Sequence, residues 1–436
     1  MEHRVLIKGG CVLTLDKSVG NFRQADVLIE NDLISEIGTG LRSRDAEVVD
    51  GTDTIVMPGF VDTHRHLWNS LFRNLGTQAA IAGPEVYGAL YKPDDVYAAT
   101  LIGLLGAAEA GITTVVDWAE LSFQDQLAEA ALQAHTDSGL RTIFVGAVNP
   151  WNGRRGQPRT SKEQVSGAMG PRTTVAFGSE SPAELETSLL AEEWRVAREQ
   201  GLRIHAHVGS TSEERGITAG LVEAGLLGPD VTLVHCTKLD DADLDAIASS
   251  GAHVSLTPTI EMIAGLGAPP LQKLIDIGIR PGLGIGGELE APGDLFSQMR
   301  TVNSIQHATL FDLKLAGKGG VPNLLSTRDV IRYATTDGAG AVGLGDITGS
   351  LTPGKKADII VLRADRPNIA PLNDPIGAVV WGMDTSNVDW VFVDGEPLMR
   401  DGALVADTHS ARTAAIAAQT RISEEAGLLV QAGEAT

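Results

Sequence analysis

The chain has 436 residues, of which 43% are hydrophobic, only 4% are aromatic and 50 are glycine. That is enough for one large domain with an accessory part, and it suits an α/β protein with many tight strand–helix junctions. The formal net charge of −22 argues against nucleic acid and anionic membrane surfaces as partners, since both would repel it. Two cysteines, Cys11 and Cys236, leave no disulfide framework and no cysteine-based zinc site. No apolar signal-peptide core opens the chain, so a cytoplasmic protein is expected.

The first 57 residues hold short β-branched runs broken by turn signals, "RVLIKGGCVLTLD", "ADVLIENDLISEIG" and "AEVVDGTDTIVMPGF", which predict a strand meander. Near the other end the same pattern returns in "GSLTPGKKADIIVLRAD" and "VDWVFVDGEPLMRDGALV". Between them, eight candidate strands begin near Pro58, Ile112, Arg141, Thr173, Leu202, Val231, Ala252 and Ile279, separated by amphipathic helices that end in glycine. The stretch "AATLIGLLGAAEAGITTVV" is broken by Glu109 and Gly111, and reads as a helix feeding a strand rather than a membrane span.

Eight βα units over roughly 290 residues predict a (β/α)8 TIM-like barrel. An open doubly wound sheet binding a dinucleotide would need a glycine-rich phosphate loop after its first strand, and none is present. The expected organisation is a composite β-sandwich from residues 1–57 and 350–407, the barrel from 58–349 and a C-terminal helix from 408–436. The apolar stripe of that helix can pack on the barrel or on a partner subunit, and a homo-oligomer, dimer or larger, is expected.

In such a barrel the chemistry sits at the C-terminal ends of the strands. His64 and His66, in "VDTHRHL", share one face at the end of the first barrel strand because side chains alternate across a strand. Two imidazoles at i and i+2 facing the barrel axis form a chelating pair for a divalent metal. His205 and His207 in "LRIHAHVGS" repeat the spacing at the fifth strand, and His235 in "VTLVHCTKLDD" ends the sixth. A lone histidine at a strand end is usually satisfied by backbone, but five of the ten histidines at the ends of three strands form a pattern. His3, His135, His253, His307 and His409 read as surface or packing residues.

The chain resembles the amidohydrolase superfamily, in its cytosine-deaminase-like and triazine-hydrolase-like branch. The resemblance runs through nearly the whole length. Its marks are "MPGFVDTHRHL", "GITTVVD", "HAHV", "VHCTKLDDADL", "GAHVSLTP" and "ATTDGAGAVGLGDITGSLTPGKKADIIVL". It implies one divalent metal, zinc before iron, held by His64, His66 and His207 with His205 as neighbour. It also implies that His235 hydrogen-bonds the water or the developing oxyanion. A metal-activated water would then attack a ring amidine, a chlorinated ring or a cyclic amide.

Two positions depart from that pattern. The aspartate expected at the end of the eighth strand falls on Gly286 in "IRPGLGIGGELEAPGDLF", and the glutamate often found three residues after the fifth-strand histidine falls on Ser210. The seventh-strand signature is altered as well, to "VSLTPT". Three explanations stay open. Glu288, two residues beyond Gly286 and near Glu290, can serve as a displaced base. Three histidines can hold the metal alone while His235 acts as base, a task that suits imidazole near neutral pH. Or hydrolysis is lost, and the metal serves a lyase, decarboxylase or cyclase, or the site only binds a ligand.

Substrate contacts are expected from the loops after the strands. Candidates are Trp68, Asn69 and Arg73 after the first, Trp118 and Glu120 after the second, Asn149 and Trp151 after the third, Ser179 and Glu180 after the fourth, and Glu261 after the seventh. The tryptophans would suit a flat heterocycle by stacking, and Arg73 a substrate carboxylate, although packing and loop anchoring would use the same residues. The expected activity is metal-dependent hydrolysis of a C–N or C–Cl bond on a small heterocycle or cyclic amide.

Overall fold

The computed structural model describes residues 3–75, 87–147, 169–179, 181–183, 186–210, 214 and 216–427. Five strands precede the barrel: β1 (Arg4–Val12), β2 (Phe22–Glu30), β3 (Leu33–Gly38), β4 (Glu47–Asp50) and β5 (Thr54–Pro58). Four follow it: β14 (Ile359–Arg363), β15 (Val388–Val393), β16 (Glu396–Arg400) and β17 (Ala403–Leu404). They share one mixed sheet in the order β17-β16-β15-β14-β5-β1-β2-β3, with β4 paired to β1. The two chain ends meet where β5 pairs antiparallel with β14, Val56 opposite Val361.

The continuous apolar run of β14 has a direct cause. Ile359 and Val361 face the core of this sheet, with Val5, Ile7, Val27 and Phe392, while Ile360 and Leu362 point the other way into the barrel's core. A strand buried on both faces has no polar side to alternate with. At the junction Arg141 grips Asp358 through Nε at 2.7 Å and also bonds Asp394, which pairs with Arg172. This cluster ties the N-terminal end of the third barrel strand to the outer sheet.

The barrel strands are β6 (Phe60–Arg65), β7 (Ile112–Ala119), β8 (Arg141–Ala147), β9 (Thr173–Ser179), β10 (Ile204–Val208), β11 (Val231–His235), β12 (His253–Leu256) and β13 (Gly282–Leu283). They run parallel in sequence order. Each begins within three residues of the start read from the sequence. The ring closes through backbone bonds beyond β13: Gly286 N–H donates to His64 C=O at 2.9 Å, and His66 N–H donates to Gly286 C=O at 2.7 Å.

Glycine is required along this seam. A Cβ on Gly284 would stand 2.7 Å from the His64 carbonyl oxygen, and Gly286 takes φ +76°. Only a residue without a side chain lets the "GLGIGG" segment lie against the backbone that carries the two histidines.

The C-terminal helix (Thr408–Ala426) packs on the barrel. Its Ala415, Ala418 and Ile422 join a cluster with Trp68, Phe72, Tyr91 and Ala99, and Arg421 bonds Asp95. The apolar stripe is therefore used within the chain, on the helix Pro93–Glu109 and the turn after β6. Among the described residues, no helix is long and apolar enough to cross a membrane.

Candidate functional site

Side-chain alternation carries His64 and His66 onto the inner face at the end of β6, and the same rule puts His207 at the end of β10. Their Nε2 atoms converge. His64 lies 3.0 Å from His66 and 3.1 Å from His207, and one ring nitrogen from each lies within 4.8 Å of the others. Among the described residues this is the one group of three or more histidine, cysteine or carboxylate side chains that can hold a metal ion, and no carboxylate joins it.

The three imidazoles fit a cation better than they fit one another. Bonds of about 2.0–2.1 Å to a tetrahedral zinc would space neighbouring nitrogens by roughly 3.3–3.4 Å, close to the distances seen. Burial and the neighbouring imidazoles hold His64 and His207 well below the ordinary histidine range, so both keep lone pairs for a ligand bond. Burial also opposes a charge on His66, but the Glu120 carboxylate at its Nδ1 outweighs it and raises that group.

His235 stands beside them. Its ring stacks on His207 with centroids 5.3 Å apart and lies 6.0 Å from His64. The backbone turns sharply here, with φ +77° at His235 and +59° at Cys236, held by Cys236 N–H donating to Val208 C=O at 2.8 Å. On the far side, His235 Nδ1 meets Thr257 Oγ1 at 3.1 Å and Glu261 Oε1 at 3.3 Å. Glu261 is fully buried, and its Oε1 accepts from Thr257 N–H at 2.8 Å. This arrangement commits Nδ1 to the protein and leaves Nε2 for a ligand.

The other expected site residues are distributed unevenly. Trp118, at the end of β7, belongs to the site: its ring is 4.2 Å from that of His207. His205 lies one layer deeper on β10, fully buried, and burial takes it down to about 3. Trp68 is not exposed for stacking. It is buried against Tyr87 and Tyr91, and its Nε1–H donates to Glu120 at 2.6 Å. Glu261 contacts His235, as given above, and is too enclosed to line a pocket. Trp151 and Glu180, with Asn149, lie outside the described residues.

Glu288 and Arg73 find each other. Arg73 Nε lies 2.9 Å from Glu288, Arg65 Nη2 lies 2.9 Å from the same carboxylate, and Ser70 Oγ donates to it at 2.7 Å. Both carboxylate oxygens are engaged, and the two guanidiniums hold Glu288 below the usual carboxylate range against the opposing effect of burial. The displaced-base expectation for Glu288 is thus set against a carboxylate already spent on two arginines. Arg73 likewise spends its charge on Glu288 and on the Ile102 carbonyl, which displaces the expectation that it receives a substrate carboxylate.

The contacts that the sequence reading missed are those of Thr257 and Glu261 with His235, and those of Glu120 with His66 and Trp68. The only linear signal for them was an acidic residue just past a barrel strand, a weak mark in a chain this acidic.

Comparison with known proteins agrees with the barrel. Residues 55–398 match the profile of the Amidohydrolase family. The 5'-deoxyadenosine deaminase of Methanothermobacter thermautotrophicus is 31% identical over 422 residues, covering 92% of this chain and 94% of that one. The 5-methylthioadenosine/S-adenosylhomocysteine deaminase 1 of Syntrophus aciditrophicus is 27% identical, with 92% and 93% covered. Among solved structures, an adenosine deaminase from Xanthomonas campestris with bound zinc superposes with a TM-score of 0.81 at 20% identity, covering 96% and 98%. The atrazine chlorohydrolase of Arthrobacter aurescens complexed with zinc does so with a TM-score of 0.81 at 22% identity, covering 95% and 100%. The two structures share the fold of this chain, and the family profile with the 31% identical deaminase shows its kinship: the chain belongs to the amidohydrolase family and is an enzyme of the hydrolase type.

Proposed function

We propose that this enzyme hydrolyses the exocyclic C–N bond of an amino-substituted nitrogen heterocycle, releasing ammonia, with a zinc ion held by His64, His66 and His207. The observation that carries the reading is the convergence of three Nε2 atoms beside a fourth imidazole, His235, whose Nδ1 is committed to Thr257 and Glu261. The relatives' names point the same way. They are deaminases of adenine nucleosides, and the structural neighbours include an atrazine chlorohydrolase, so each acts on a flat nitrogen heterocycle with an exocyclic leaving group.

A metal held there supplies Lewis acidity and brings the pKa of a water toward neutrality. The chain's own residues do the rest. Trp118 walls the mouth beside His207 and offers an apolar edge to a ring. His235, through Nε2, accepts the proton released as water adds to the ring carbon. The same imidazolium then returns that proton to the amine as its C–N bond breaks, and the proton of the added hydroxyl passes to the ring nitrogen, so the products are ammonia and the ring carbonyl. Glu261 and Thr257 hold the ring in place on both strokes. Glu288 has no part in this exchange. It braces the exits of β6 and β13 through Arg65 and Arg73.

One observation favours a second reading without water attack: no carboxylate accompanies the three histidines among the described residues, and Gly286 stands at the seam beyond β13. A lyase or cyclase on this barrel needs no such carboxylate. The test is a panel of aminopurines, aminopyrimidines and aminotriazines offered in ¹⁸O-labelled water. Ammonia with one label in the ring carbonyl is the expected result. Turnover without ammonia and without label would overturn hydrolysis in favour of the second reading.

A further inference from the structure

We propose that Glu120 is a positioning residue that locks the His66 ring so that its Nε2 lone pair faces the metal position. The inference rests on reading His64, His66 and His207 as a metal site, and it deepens that reading by naming the group that sets the geometry of one ligand.

Glu120 follows β7 directly, and its carboxylate spans two donors. One oxygen bonds His66 Nδ1 and the other accepts from Trp68 Nε1 at 2.6 Å. The side chain is 12% exposed, so water competes weakly for it. Trp68 is itself fixed, because Tyr91 Oη donates to its carbonyl at 2.7 Å and the rings of Tyr87 and Tyr91 pack on its indole. A carboxylate pinned at one end by a buried indole can accept only from a protonated Nδ1 at the other. That fixes the tautomer of the neutral His66 ring, in which the proton sits on Nδ1 and the lone pair on Nε2, 3.0 Å from His64 Nε2.

His64 differs, since its Nδ1 finds no hydrogen-bond partner among the described residues. The protein therefore orients His66 with a charged, buried brace and leaves His64 to packing. With no carboxylate joining the three histidines among the described residues, the negative charge of Glu120 also offsets a divalent cation from one shell further out.

The experiment measures zinc affinity of the full chain by competition with a chromogenic chelator, for wild type, Glu120→Gln, Glu120→Asp and His66→Ala. Folding of each metal-free protein is checked by circular dichroism. Glu120→Gln keeps the shape and removes the charge, and it is expected to weaken zinc binding by about 10–100-fold. Glu120→Asp, too short to span His66 and Trp68, is expected to shift affinity in the same direction and serves if the first variant fails to fold. The cobalt-loaded protein gives a second readout: a changed ligand environment moves its visible bands, whereas a merely structural brace leaves them alone. Zinc affinity within twofold of wild type for both Glu120 variants, with unshifted cobalt bands and zinc lost in His66→Ala, would overturn the role of Glu120 alone. Absence of zinc binding in folded wild type would overturn the metal site itself, and the inference with it.

Discussion

His235→Asn is expected to lower kcat by roughly 10²–10⁴-fold, the range for removing a positioned general acid–base group, while zinc content and folding stay at wild-type levels. Asparagine keeps a polar group in the space but cannot carry a proton between water and the leaving amine. Glu261→Gln should move kcat in the same direction by a smaller factor, because it loosens the Nδ1 side of the ring without removing the ring. Stopped-flow or steady-state assays of the substrate identified by the heterocycle panel, with metal content measured on the same samples, check both. A His235→Asn enzyme with kcat within a few-fold of wild type would remove His235 from the proton path. Loss of zinc in that variant would show instead that the ring supports the metal ligands it stacks on.

Glu288→Gln is expected to destabilise the fold by about 3–5 kcal/mol, the cost of breaking a buried ion pair from one side, and to leave kcat of the folded enzyme near wild type. Arg65 is completely buried, and with Glu288 neutralised its one remaining charged partner among the described residues is Asp62, at 3.3 Å. Arg73 is more exposed and would turn to water. The pH dependence has a definite sign. The arginines hold the folded-state pKa of Glu288 below its unfolded value, so the stabilisation is fully present above the ordinary carboxylate range of about 4.3. It is lost as pH falls through the lowered folded value. Chemical denaturation of wild type and variant at several pH values checks this: the gap in stability should close on the acid side. Unchanged stability with activity lost would reverse the assignment and return Glu288 to the chemistry as a displaced base.

The two variants separate what the sequence makes legible from what it hides. Strand periodicity put His64 and His66 on one face and His205 and His207 on another in advance, while the choice of His207 over His205 came only from the resemblance to the amidohydrolase superfamily. The eight strands were legible for a related reason: each apolar run is bounded by polar helices and turn residues, and parallel order follows from the alternation. The contacts of Glu288 were not legible. Its carboxylate meets Arg65 and Arg73 across the seam where the last barrel strand closes on the first, and adjacency of that kind is absent from linear spacing.

Trp68 shows the same limit from another side. A tryptophan in a loop after a catalytic strand is equally consistent with a stacking platform and with a buried brace. Only the helix Pro93–Glu109 and the C-terminal helix, packed over the turn that holds it, decide for the brace. Gly286 is a third case. Set against the family pattern it reads as a lost side chain. In the fold it is also a backbone position at φ +76°, where a Cβ would stand 3.0 Å from Ile260 Cγ1. An aspartate at 286 would therefore meet backbone strain and crowding from Ile260 and Thr257.

The proposed hydrolysis and the role of Glu120 both depend on the three imidazoles holding a metal. The most direct test is metal content by plasma mass spectrometry on protein purified without added metal, compared with a His64→Ala, His66→Ala double variant. About one zinc per chain in wild type, and none in the folded variant, is the predicted result. A folded wild-type protein without bound metal, or a double variant that keeps its zinc, would contradict it.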